Sequence, residues 1–184
     1  MSRLTIRSVD DAPSASVPMM QKSIASNGFL PNLIGVLANA PVALETYQTV
    51  SEINGRASLT LAEREVVQLT AARIHACDFC LAGHAAVALK KAGQPVEAVR
   101  ALQAGTPTGD ARLDAVAAFT QAVIASRGAV GDADYAAFLS AGYQQQQALE
   151  VVLGVSLATL CNFANSLAGT PVNPQMAGFL PGAL

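Results

Sequence analysis

The chain has 184 residues, enough for one domain with a substantial core and marginal for two. Apolar residues make up 52% and charged residues only 13%, about half the charged share of an ordinary soluble domain. The formal net charge is −2 with no basic patch, which argues against a nucleic-acid partner. So little charge implies a surface partly covered by partner subunits or in contact with a membrane. The opening MSRLTIRSVDDAPSASV has no signal-peptide core, and the one candidate span, Val151 to Ala168, is interrupted by Ser156, Thr159, Asn162, Asn165 and Ser166. No membrane partner is expected. Three cysteines, two of them close together, make a poor disulfide framework and a better redox or metal pattern, so a cytoplasmic location is expected.

Strand signals are weak and helix punctuation recurs along the chain. Residues 1–18 read as an extended, Pro-containing arm, and 19–184 as a single helical domain. Met19 to Asn27 predicts a short helix stopped at Asn27-Gly28. FLPNLIGVLANAP predicts another, with Pro31 near its first turn and its end at Pro41. A third runs from about Val42 to Asn54. Thr60-Leu61-Ala62-Glu63 is a capping box, in which the threonine oxygen and the glutamate carboxylate each satisfy an orphan backbone N–H. That helix should reach about Ile74. The next begins near Cys77 and ends at Gly93, and Pro95 opens a short one. Asp110 caps a helix ending at Arg127-Gly128, and Asp132 caps one ending near Gly142. The longest spans about Gln145 to Leu167. No charged residue occurs from Val151 to Leu184. A helix apolar nearly all round is expected to be buried on all sides, as a central core helix or one shared with a neighbouring subunit. The uncharged tail favours an oligomer.

The stretch CDFCLAGH carries the chemistry. At 100° per residue, Cys77, Cys80 and His84 fall within about 60° of one another on a helix. Cys77 at the helix start meets free N–H groups and the positive end of the macrodipole, which favour a thiolate. His84 titrates near working pH and could hold or relay a proton. Glu65 is the candidate to steer protons. In one straight helix it would lie about 18 Å from Cys77; if the chain reverses near His75-Ala76, Glu65 and His84 come level on antiparallel helices. Plainer readings exist. Isolated cysteines are often small buried hydrophobes. Zinc prefers the same ligands, with His75, Cys161 or Glu65 available to complete a site, though no second ligand pair follows. His75 alone suits a helix end facing exposed carbonyls, Cys161 suits packing, and Glu63 is explained by its cap.

REVVQLTAARIHACDFCLAGH resembles the alkylhydroperoxidase D-like branch of the carboxymuconolactone decarboxylase superfamily: a glutamate, a C-x-x-C, then a histidine four residues on. SLTLAERE before it, GFLPNLIGVLANAPVALETY upstream and NFANSLAGTPVNP near the end are similar to peroxidase-related members, so the resemblance covers about residues 28 to 174. It implies an all-α bundle assembled as trimers or hexamers. It also implies an enzyme that reduces organic hydroperoxides, without cofactor or metal, using electrons from a thiol or dihydrolipoyl-type reductant. Carried over, Cys80 is the nucleophile, Cys77 the resolving thiol, and Glu65 and His84 the relay, against the helix-dipole argument for Cys77. Those members often carry a histidine between the cysteines; Phe79 stands there and cannot relay protons. The decarboxylase branch lacks the cysteine pair, which argues against lactone chemistry. The alternative is a non-catalytic helical oligomer using the cluster as a redox sensor or metal site.

Overall fold

The computed structural model describes residues 2–184; Met1 lies outside the described residues. These form nine α-helices and no strand: α1 Val17–Asn27, α2 Asn32–Leu37, α3 Pro41–Asn54, α4 Leu61–Ile74, α5 Asp78–Lys90, α6 Val96–Ala104, α7 Ala111–Ser126, α8 Asp132–Ser140 and α9 Gln145–Ala168. Short 3₁₀ helices occupy Ser14–Ser16 and Pro174–Phe179.

Most boundaries follow the local chemistry. Thr60 and Glu63 make both halves of the capping box. Asp110 accepts from the backbone N–H groups of Arg112 and Leu113. Gly28 ends α1 at φ 77°, a left-handed conformation that glycine adopts without steric cost. Several boundaries differ from expectation, among them the end of α2, which falls at Leu37 rather than Pro41. The extended arm stops near Pro13, because Pro18 stands in the first turn of α1, where its missing N–H is not needed. Asp132 is the first residue of α8 and Gly131 its N-cap. α5 ends at Lys90, three residues before Gly93.

α4 is the central helix, packed by α5, α6, α7 and α9. Its buried face includes Glu63, Glu65 and Gln68, each with a partner: Tyr143 and Arg112 for Glu63, His84 for Glu65, and the Gly154 carbonyl, which accepts from Gln68 Nε2 at 2.9 Å, for the glutamine. A paired polar side chain can be buried at little cost. A Cβ added at Gly154 would lie 2.9 Å from Val67 Cγ1, so glycine there lets α9 approach α4 closely.

Within one chain α9 is buried along one face only, so it is not a core helix enclosed by its own domain, and the reading of a helix shared with a neighbouring subunit stays open. Val151, Gly154, Leu157, Ala158, Cys161, Asn162, Asn165 and Ala168 face inward. Leu149, Val152, Phe163 and Leu167 are exposed, the last two at 57% each, and with Ser156 they fall within about 60° on the opposite side. Its length and hydropathy would allow α9 to cross a membrane, but 44% of the relevant window is buried against this domain.

Candidate active site at the α4–α5 turn

The chain does reverse where the site requires it. The Cys77 N–H donates to the Ala72 carbonyl at 2.9 Å and the Ala76 N–H to the Arg73 carbonyl at 3.1 Å. Those two bonds, with Ala76 at φ 53°, form a Schellman motif. Glycine is the usual residue at this left-handed position; alanine there costs about 1–2 kcal/mol. The reversal makes α4 and α5 close neighbours and delivers Cys77 to the N-cap of α5.

Cys77 and Cys80 are paired as a disulfide, with Cα atoms 5.3 Å apart, inside the usual range for such bonds. The Cys80 backbone N–H donates to Cys77 Sγ at 3.3 Å, so this sulfur serves as the helix cap. Each cysteine is only 4% exposed.

Glu65 and His84 meet: His84 Nδ1 lies 2.8 Å from Glu65 Oε2. With Glu65 ionised the ring nitrogen is the donor, and the carboxylate fixes the orientation of the imidazole. The glutamate side chain is 8% exposed and the histidine 32%, so the pair leads from the core toward solvent. His84 is one helical turn beyond Cys80. Tyr47 of α3 borders this pair. Burial pushes its phenol well above the ordinary value, with Cys161 and then Glu65 adding to the rise.

α9 closes the other side. Asn165 Nδ2 donates to Cys80 Sγ at 3.2 Å and lies 3.8 Å from Cys77 Sγ. Asn162 Oδ1 is 2.9 Å from His75 Nδ1, and His75 stands edge-on to Phe163, with centroids 5.1 Å apart. His75 is the C-cap of α4, at the helix end as expected, but its ring meets the Asn162 side chain rather than the exposed backbone carbonyls. Cys161 is buried, and burial pushes its thiol up to about 12. Phe79 is buried between the cysteines.

Sequence reasoning missed Tyr47, Asn162 and Asn165. A signal existed for the asparagines: two amides three residues apart on the face of α9 that carries Cys161 must meet partners if that face is buried. No three His, Cys, Asp or Glu side chains among the described residues converge as metal ligands would. Two surface clefts, one lined by Met19, Lys22, Gln48 and Glu52 and one by Arg73, Ile74, Gln121 and Ile124, include neither cysteine nor His84.

Residues 41–122 match the carboxymuconolactone decarboxylase family. Among functionally curated proteins, none matches significantly. The fold is shared with an uncharacterised peroxidase-related protein from Ralstonia eutropha JMP134, described as an alkylhydroperoxidase AhpD core. The two are 20% identical with a TM-score of 0.86, over 100% of this chain and 97% of that one. An uncharacterised peroxidase-related protein from Silicibacter sp. TM1040 is 19% identical with a TM-score of 0.80, over 96% and 95%. A variant of the debrominase Bmp8, in complex with 2,3,4-tribromopyrrole, is 14% identical with a TM-score of 0.81, over 100% and 98%. The family match spans the α4–α5 motif, and along the whole chain the protein shares the all-helical alkylhydroperoxidase D-like fold.

Proposed function

We propose that the protein is a thiol-dependent peroxidase that reduces organic hydroperoxides through a dithiol–disulfide cycle of Cys77 and Cys80. The observation carrying this reading is the partly buried Glu65–His84 hydrogen bond one turn from a disulfide-paired C-x-x-C. In the cycle, the Cys80 thiolate attacks the terminal peroxide oxygen, the O–O bond breaks, and the alkoxide leaves as an alcohol after taking a proton. Cys80 is then a sulfenic acid. The Cys77 thiol displaces its hydroxyl as water and closes the disulfide. A dithiol reductant, of thiol or dihydrolipoyl type, returns two electrons and two protons. His84, held by Glu65, delivers and recovers the protons. Such a cycle suits the reducing cytoplasm.

The test is consumption of cumene hydroperoxide with several dithiol reductants. Turnover lost on Cys80→Ser supports the reading. If no reductant supports turnover, the cluster is a redox sensor without peroxidase activity. Because a debrominase shares the fold, 2,3,4-tribromopyrrole belongs in the same assay as a second substrate.

We also propose that a second copy of the chain covers the apolar stripe of α9, in a trimer or hexamer. The stripe is apolar apart from Ser156, and α3, which packs on α9, carries exposed Val42 and Ile53. Monomers avoid such surfaces. Sedimentation should show an oligomer that Phe163→Glu dissociates; a stable monomer at micromolar concentration would refute it.

A further inference from the structure

We infer that Asn165 is the residue that makes Cys80, rather than Cys77, the more acidic thiol of the pair, by presenting its side-chain amide to the Cys80 sulfur. The inference rests on the dithiol cycle proposed above for the same site.

Each sulfur has its own nearest donor. Cys77 Sγ receives the Cys80 backbone N–H at 3.3 Å, has the Asn165 amide farther off at 3.8 Å, and sits at the positive end of α5. On those grounds alone Cys77 should carry the thiolate. Cys80 Sγ receives only the Asn165 amide, at 3.2 Å. The titratable groups that neighbouring elements bring to this part of the core are Tyr47 of α3, Glu65 of α4, His75 beyond its end, Asp78 and His84 of α5, and Cys161 of α9. None of them hydrogen-bonds either sulfur among the described residues. A disulfide sulfur carries no hydrogen and can only accept, so the amide must turn its N–H toward the pair.

This contact is lopsided between redox states. A disulfide sulfur is a weak acceptor, whereas a thiolate is charged and accepts about twice as strongly as a neutral group. The amide thus strengthens its hold as the disulfide opens and charge collects on Cys80. It lowers the thiol's pKa and favours the reduced pair.

The other end of the side chain argues against a purely structural role. Asn165 is 4% exposed, and its Oδ1 is buried without a partner. An asparagine placed for stability would use both ends, because an unpaired buried carbonyl is destabilising. Here one end meets sulfur and the other no protein group, so contacts within the fold do not by themselves explain an amide at this position.

The test reads thiolate absorbance near 240 nm against pH in full-length protein. Cys161, raised to about 12, titrates above the window. In Cys77→Ser, the Cys80 midpoint should lie below that of Cys77 measured in Cys80→Ser. Adding Asn165→Ala to Cys77→Ser should raise the Cys80 midpoint by about one to two pH units, the range for one hydrogen bond to a charged group. Asn165→Asp, of nearly the same shape, should raise it further by placing a carboxylate against the thiolate. In the two-cysteine protein, Asn165→Ala should lower the reduction potential. A Cys77 midpoint below that of Cys80, or a Cys80 midpoint unmoved by both substitutions, would overturn the inference. The first comparison leaves Asn165 intact, so it decides the matter even if the Asn165 variants misfold. None of these readouts needs peroxide turnover, so an inactive protein with the predicted midpoints would sink the peroxidase reading alone.

Discussion

Replacing Glu65 with glutamine isolates the carboxylate's charge while keeping its size. In the native pair the carboxylate accepts from His84 Nδ1 at 2.8 Å, in a setting where Glu65 is nearly excluded from water. Two outcomes follow from the geometry of the amide. If its oxygen faces the ring, the hydrogen bond survives but is no longer charge-assisted. Its net value falls from about 1.5–3 to about 0.5–1.5 kcal/mol, a difference worth about tenfold in rate if expressed in the transition state. If the NH2 faces the ring, Nδ1 must accept, the proton moves to Nε2, and the imidazole presents the wrong group to the peroxide. The loss is then the full contribution of a positioned acid–base group, about 10²–10⁴. Stopped-flow consumption of cumene hydroperoxide by the pre-reduced protein separates the two, with circular dichroism as the folding control. A folded Glu65→Gln with native rates would remove the relay and leave only a reactive cysteine pair.

Mild oxidation of the reduced protein should remove two thiols together and leave Cys161, which Ellman titration would detect only on unfolding; rapid native labelling of three thiols would contradict its burial. Ala76→Gly should stabilise the protein by about 0.5–1 kcal/mol in urea unfolding, relief of the left-handed strain being partly offset by unfolded-chain entropy; a loss of stability would refute the Schellman reading. At Glu63, burial alone would push the carboxyl up, but the Tyr143, Thr60 and Arg112 bonds outweigh it and hold the carboxyl below its ordinary value. A depressed folded-state pKa gives stability that is full above the unfolded value and is lost as pH falls through the folded one. Tyr143→Phe removes the 2.6 Å bond, so it should cost about 1.5–3 kcal/mol at pH 7 and progressively less in acid; a pH-independent difference would show that the bond does not act through the charge.

Local signals carried the helix boundaries and the motif, because caps, turns and i,i+4 spacings are settled within a few residues. Thr60, Glu63 and Asp110 act as their spacing implies. The Glu65–His84 contact was legible only conditionally, since it required a reversal at Ala76 that no glycine announces. Apolar content left α9 as either a central core helix or one shared with a neighbouring subunit. α4 holds the central place, because Glu65 and Gln68 find partners on α5 and α9, and pairing across helices leaves no trace in a window of sequence. For the same reason Asn162 and Asn165 read as blemishes in an apolar helix.

Two departures from ordinary stability rules converge on the cysteine pair. Ala76 takes a left-handed conformation immediately before Cys77, and Asn165 leaves a buried carbonyl unpaired while its amide meets Cys80. The other non-glycine residue at positive φ, Arg127, lies in an exposed turn followed by Gly128 and adjoins no such cluster. Each departure sets one sulfur. The strained turn aims the Cys77 Sγ at the first free N–H groups of α5, and the asparagine gives Cys80 a donor that its place inside the helix denies it. A pair of inert, packed cysteines would need neither. Natural sequences break local rules chiefly where function requires it. Two breaks on adjacent sulfurs, with a carboxylate–imidazole pair one turn away, therefore fit the proposed dithiol and set the pair apart from the buried, well-packed Cys161 only a turn of α9 from Asn165.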